Sequence, residues 1–460
     1  MHRRRWKIAW CLCAGLCLGL IGADAEAPQV YALQNARLVR VSGPVIEAGT
    51  IVIRDGVIAA AGVNVPVPAD AWVMDARGLT VYPGLIDALS TWGVPGLAPP
   101  PPAPAGGRGG PRPAVPPVVT GPPPVAHGPQ DRPSNTSYLR VADQLAPADK
   151  SIETGRDGGF TTAVTFPNAN IVSGEGVAFD LAGERAGNMV INPAVGQYLT
   201  LKTNGFTSFP GSLMGTIAYL RQLLLDAEQY KTARAIYNAH PRGLARPAYD
   251  RTSEALADSP RFLMPANRAV EIDRMLAFAA EMKIKAVLYG AAEAWRSAEA
   301  LQRAGAPVLV SLKWPTRDRE ADPADQDPQR ILEYREAAPN TPAALAKAGV
   351  KFAFYSDGVA TPKEMLRAVK KAIDRGLSRE DALRALTLSP AEIYGLDDRI
   401  GSLDAGKIAN LTVTDGDLFD DKTKVKYIFV DGRKFEPAPP DAKPETKPDT
   451  KKEPVSENRP

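Results

Sequence analysis

Two carboxylates occupy positions where acid–base chemistry is readily built. Asp87 lies in Val81-Tyr82-Pro83-Gly84-Leu85-Ile86-Asp87-Ala88-Leu89-Ser90-Thr91, where a Pro-Gly turn feeds a short apolar strand with a polar end. Asp357 lies in Tyr355-Ser356-Asp357-Gly358, directly after the apolar run Phe352–Tyr355. A carboxylate at a strand end can take a proton from an attacking water and return it to a leaving group. Glu175, in Ser173-Gly174-Glu175-Gly176, is a third acidic candidate. Together the three could offer oxygens to a hard cation such as magnesium or calcium, although nothing in their spacing demands one.

Softer metal ligands are scarce. The chain has three histidines in 460 residues, His2, His127 and His240. None stands beside another, and none falls on an apolar strand. A catalytic zinc site takes about three imidazole or carboxylate ligands, so the expectation is no metal site and no cofactor. The three cysteines, Cys11, Cys13 and Cys17, all sit near the N-terminus. There Arg3, Arg4, Arg5 and Lys7 precede an apolar run from Ile8 to Ile21, and Ala23-Asp24-Ala25 suits cleavage. This reads as a signal peptide over residues 1–25, with an exported, periplasmic or secreted product. The run is short for a membrane span. Cleavage would remove every cysteine and with them any disulfide. It would also remove the whole of the formal +3 charge, which leaves no electrostatic case for nucleic acid or an anionic membrane.

The elements that must hold Asp87 and Asp357 can be read from pattern. Both chain ends are β. Ala36–Val41, Gly49–Ile53, Val57–Ala60 and Trp72–Asp75 at one end match Leu411–Thr414 and Lys426–Val430 at the other. Arg54-Asp55-Gly56, Asp415-Gly416 and Asp431-Gly432 supply turns. Between these ends strands and helices alternate. Strands are expected at Phe262–Met264, Ala286–Tyr289, Val308–Leu312 and Phe352–Tyr355. Helices are expected over Leu213–Asn238, Ala269–Met282, Ala292–Ala304 and Pro342–Ala348. Thr361-Pro362 with Glu364 signs the start of another helix. Fifteen prolines between Pro95 and Pro133 forbid helix or sheet there and indicate a loop. The Pro- and Lys-rich tail from Glu436 reads as disordered.

Three segments carry a family likeness. Pro83-Gly84-Leu85-Ile86-Asp87 resembles the opening strand of the amidohydrolase superfamily, which continues with two metal-binding histidines. Here Leu89 and Thr91 take those places. Gly159-Phe160-Thr161-Thr162 resembles the second strand, and Gly401-Ser402-Leu403 through Ala409 resembles the C-terminal signature, with Asn410-Leu411 where the family has Asp-Leu. The resemblance implies an α/β fold: a TIM-like (β/α)8 barrel inserted into a small β-sandwich built from both chain ends. The sandwich would comprise residues 28–82 and 401–435. The barrel would comprise 83–400 with an insert at 93–135, and a tail would follow from 436 to 460. It implies hydrolysis of C–N bonds in small amides, imides or dipeptides by zinc or another divalent metal.

Softer alignments place Pro265 and Tyr289 at two further histidine positions, and Lys202, Lys285 or Lys313 at that of a bridging lysine. Asp357 aligns with the family's general acid/base. The expectation is therefore an amidohydrolase-fold protein without its metal centre. It would bind a small ligand, form a homo-oligomer, or pair with an active amidohydrolase paralogue. Two alternatives stand beside it. One is a working metal-independent or carboxylate-metal hydrolase that uses Asp357. The other is a cell-envelope adaptor acting through the proline-rich loop and charged tail.

Overall fold

The structure, a computed structural model, describes residues 30–97, 132–205, 208–317 and 326–437. The expected signal peptide, His2, His127, most of the proline-rich insert and nearly all of the tail lie outside them.

Three sheets organise the described residues. The first joins both chain ends. It contains β1 (Val30–Leu38), β2 (Ile46–Arg54), β3 (Val57–Gly62), β4 (Trp72–Asp75) and β5 (Thr80–Pro83) from one end. The sheet order is β18-β17-β16-β5-β1-β2-β3, with β4 also paired to β1; here β16 is Leu411–Thr414, β17 Val425–Val430 and β18 Arg433–Phe435. Antiparallel pairing of β5 with β16, Val81 opposite Val413, links the two ends. Two of the three turns read from sequence hold as tight hairpins: Asp55 and Gly56 have φ of 51° and 79°, Asp431 and Gly432 of 50° and 72°, whereas Asp415-Gly416 only opens the longer connection from Thr414 to Val425. Such left-handed pairs suit the twist of tight hairpins.

The second sheet has the order β10-β9-β7-β6. Its strands are β6 (Leu85–Ser90), β7 (Phe160–Thr165), β9 (Val177–Asp180) and β10 (Val190–Asn192). The third has the order β15-β14-β13-β12-β11-β8. It comprises β8 (Val172–Glu175), β11 (Gln197–Leu199), β12 (Phe262–Ala266), β13 (Ala286–Gly290), β14 (Val308–Ser311) and β15 (Phe352–Tyr355). β11 through β15 run parallel, as do β6 and β7. These pairings give one continuous end sheet and two inner sheets. They do not trace a closed ring of eight strands.

Alternation along the parallel strands divides the interior in two. Met264, Leu288, Val308, Val310, Phe352 and Phe354 face the helices and join the larger core. Their neighbours Leu263, Val287, Leu309, Ala353 and Tyr355 face inward and meet Ile86, Ala88, Leu89 and Val164. Burial on both faces explains why these strands read as unbroken apolar runs.

One local expectation needs correction. Ala292–Ala304 is not one helix: a short 3-10 turn at Ala294–Arg296 precedes a helix only over Ala298–Ala304. Ser297 at the junction lacks a side-chain cap bond. β9 falls on the strand-like run Val177–Leu181, and β10 pairs antiparallel with it. The helix start at Thr361 is as expected: its hydroxyl accepts from Glu364 N at 3.3 Å, and Pro362 opens the helix Pro362–Asp374.

Gly84 carries a close approach between sheets. Its N–H donates to Asn410 O at 2.8 Å. A Cβ added there would collide with Thr161, whose own Cβ would stand 2.7 Å away. Gly84→Ala should therefore cost about 2–3 kcal/mol through overpacking, read as a lowered urea midpoint with unchanged slope.

Candidate functional site

β6 and β15 bring the two carboxylates together. Asp87 is fully buried; its Oδ1 accepts from Ser356 N at 3.0 Å and Leu89 N at 3.4 Å. Its Oδ2 is buried with no hydrogen-bond partner among the described residues. Desolvation pushes the carboxyl up to about 7, against the stabilising bonds from Ser356 and Leu89, and the charge of nearby Asp357 adds to the rise. Asp87 is thus partly protonated near neutral pH.

Asp357 follows β15 at an exposed turn, with φ 49°. A non-glycine residue in the left-handed region is uncommon, and aspartate tolerates it better than most. Its carboxylate turns back to accept from Ser311 Oγ at 2.7 Å. Desolvation raises its pKa, while the Ser311 bond and the charge of Lys313 pull the other way.

Tyrosines surround this pair. Tyr198 and Tyr289 stack with ring centroids 4.9 Å apart. The Tyr289 hydroxyl donates to Leu199 O at 2.9 Å. Burial raises Tyr198 to about 12 and lifts Tyr289 and Tyr355 well above the ordinary phenol range. Tyr394 donates to Ala88 O at 2.6 Å. At neutral pH all four are uncharged hydroxyls. Tyr198 carried no signal in the sequence, because a three-residue strand offers no periodicity to read. Its partner Tyr289 was found only through alignment.

The other candidates stand apart. Glu175 pairs with Arg140 at 3.4 Å, and no three His, Cys, Asp or Glu side chains cluster among the described residues. Lys202 donates to Asn168 O at 2.8 Å. Lys285 is exposed at the start of the β13 segment. Lys313 alone lies near Asp357. His240 caps the end of the long helix, exposed.

The residues at the ligand positions do not fit a divalent metal. Leu89 is 9% exposed and belongs to the inner apolar cluster. Tyr289 commits its hydroxyl to a backbone carbonyl, and Pro265 offers no side-chain donor. A zinc or manganese ion needs several convergent lone pairs, and leucine and proline supply none.

Residues 326–435 match the amidohydrolase family. No curated protein matches the sequence. Among solved structures, the chain is similar to an amidohydrolase from Thermotoga maritima MSB8, with a TM-score of 0.71 and 24% identity over 88% of this chain and 100% of that one. It is also similar to a prolidase complexed with N-methylphosphonate-L-proline, with a TM-score of 0.51 and 16% identity over 88% of this chain and 99% of that one. Phenylurea hydrolase B matches with a TM-score of 0.51 and 16% identity, over 89% of this chain and 97% of that one. At these identities the structures speak for the fold.

Proposed function

We propose that this chain is an exported member of the amidohydrolase superfamily that has lost its metal centre and serves as a ligand-binding or partner subunit. The observation that carries the reading is the filling of the ligand positions. Leu89 packs into the inner core, and Tyr289 is bonded to Leu199 and stacked on Tyr198. What remains is a shell of neutral tyrosyl hydroxyls around Asp87 and Asp357. Such a shell suits a small uncharged polar ligand, recognised by hydrogen bonds with little Coulombic pull.

We read the two inner sheets as the two arcs of one barrel set into the end sheet. The bond from Ser356 N to Asp87 Oδ1 supports this, because it joins the outermost strands β15 and β6 of the two sheets. The helices on one face and the inner apolar cluster on the other support it too.

Metal content tests the function. The mature protein, dialysed against zinc and manganese and read by elemental mass spectrometry, should hold less than about a tenth of an equivalent where a catalytic zinc site would hold one. Near one equivalent would overturn the proposal.

A second reading rests on the Ser311–Asp357 bond and the raised Asp357 pKa. In it, Asp357 acts as a metal-independent general base on an activated ester. Turnover would then rise with pH through the elevated Asp357 pKa, since only the carboxylate accepts a proton. Asp357→Asn would remove that limb.

A further inference from the structure

A cavity of about 650 Å³ lies outside the strand-end cluster, between the long helix Leu213–Ala239 and the helix Ala269–Met282. Its size is that of a small-molecule site. Its apolar wall includes Leu201, Ile217, Met275 and Phe278, and its lip is formed by Leu213 and Met214. Those two are 50% and 82% exposed, a cost a helix N-terminus would ordinarily avoid by presenting polar residues.

The charges at its rim are unequal in their commitments. Glu281 takes a bidentate pair from Arg221, at 2.7 and 2.9 Å. Glu271 accepts from the Arg268 side chain at 2.7 Å and from the backbone N–H groups of Asn267 and Arg268. Both carboxylates lining the cavity are therefore neutralised. Arg274 also lines it, is exposed, and has no carboxylate partner among the described residues. The cavity thus joins an apolar trough to one uncommitted guanidinium.

We propose that this groove binds an amphipathic small molecule with an aliphatic body and an anionic head, of the medium-chain carboxylate type. The chain would lie against Ile217, Met275 and Phe278, and the flexible Met214 would close over it. The head would meet Arg274, whose planar fork matches a carboxylate. This site is separate from the strand ends, so it does not depend on the reading given for them.

Isothermal titration of the mature protein with decanoate, and with decyltrimethylammonium as the cation of equal chain length, tests the proposal. Decanoate should bind one to one, and the cation at least about tenfold more weakly. Arg274→Gln should weaken decanoate about fivefold, since the site is partly open to water, and should strengthen the cation by removing the like charge that repels it. Ala277→Trp, at an exposed alanine lining the groove, should abolish binding by filling it. Equal affinity for both probes, absence of binding, or indifference to Ala277→Trp would each overturn the proposal. So would sedimentation showing a dimer that Met214→Asp dissociates, since a second copy would then be the groove's occupant.

Discussion

Raising the pH from 5 to 8 should destabilise this protein by several kcal/mol, against the usual behaviour of paired surface carboxylates. Two fully desolvated aspartates set the sign. Asp87 and Asp180 are each raised by burial to about 7. A carboxyl with a raised folded pKa contributes its stabilisation fully below the unfolded value, near 4, and loses it as pH rises through the folded value. In that window the native state binds more protons than the unfolded chain, so unfolding free energy falls with pH. Each group should account for on the order of 2–4 kcal/mol between pH 4 and 8.

Asp357, Glu175 and Asp431 are shifted the same way by partial burial. The carboxylates with depressed pKa values, among them Asp250, Glu271 and Asp404, act below about pH 4, outside the window. Urea unfolding at pH 5, 6, 7 and 8 reads the slope. Asp87→Asn keeps the Oδ1 that accepts from Ser356 and should remove roughly half of the dependence. A flat profile in the parent protein would show that both carboxyls stay ionised when folded, contrary to their burial.

Much of the scaffold was legible because its signals are local. Pro83-Gly84 and the apolar run after it mark β6. The Thr361-Pro362 start marks a helix, and Asp55-Gly56 and Asp431-Gly432 mark hairpins. Each is set by backbone sterics within four residues. The parallel strands β12 to β15 were readable as continuous apolar runs, for the same reason that both of their faces are buried.

What escaped depends on long-range pairing. The strands β8, β10 and β11 have three or four residues each, too few for a period to emerge. That Leu89 and Tyr289 stand where the resembled pattern has histidines was visible as residue identity. The stacking of Tyr289 on Tyr198 was not, because the two are brought together across different strands of one sheet. Asp180 ends the four-residue strand β9, and nothing local in the sequence marks it as buried. Its burial is decided by Asn410, 230 residues away.

That pairing gives the sharpest substitution test. Asn410 departs from the Asp-Leu pattern that its C-terminal signature resembles, and its surroundings require the amide. Its Nδ2 donates to Asp180 Oδ1 at 2.6 Å and to Thr162 Oγ1 at 3.2 Å, while its Oδ1 accepts from Asp431 N at 2.9 Å. Thr162 adds a bond to Asp180 at 3.1 Å. One side chain thereby joins the end sheet to β7 and β9. Asn410→Asp would keep the bond to Asp431 N and replace the donor by a second carboxylate facing Asp180. Two ionised carboxylates cannot share that buried space, and Asp431 already raises Asp180 by its charge. At pH 8 the substitution should cost about 3–5 kcal/mol, the range for leaving a buried charge uncompensated. At pH 5 a shared proton can bridge the pair, and the cost should fall to about 1–2 kcal/mol. Asn410→Asp combined with Asp180→Asn reverses the roles of the two groups and restores the donor, so it should recover most of the loss at pH 8. Urea unfolding of the single and double variants at both pH values reads this directly. An Asn410→Asp protein as stable as its parent at pH 8 would mean that water reaches Asp180 and that the two sheets are joined by packing alone.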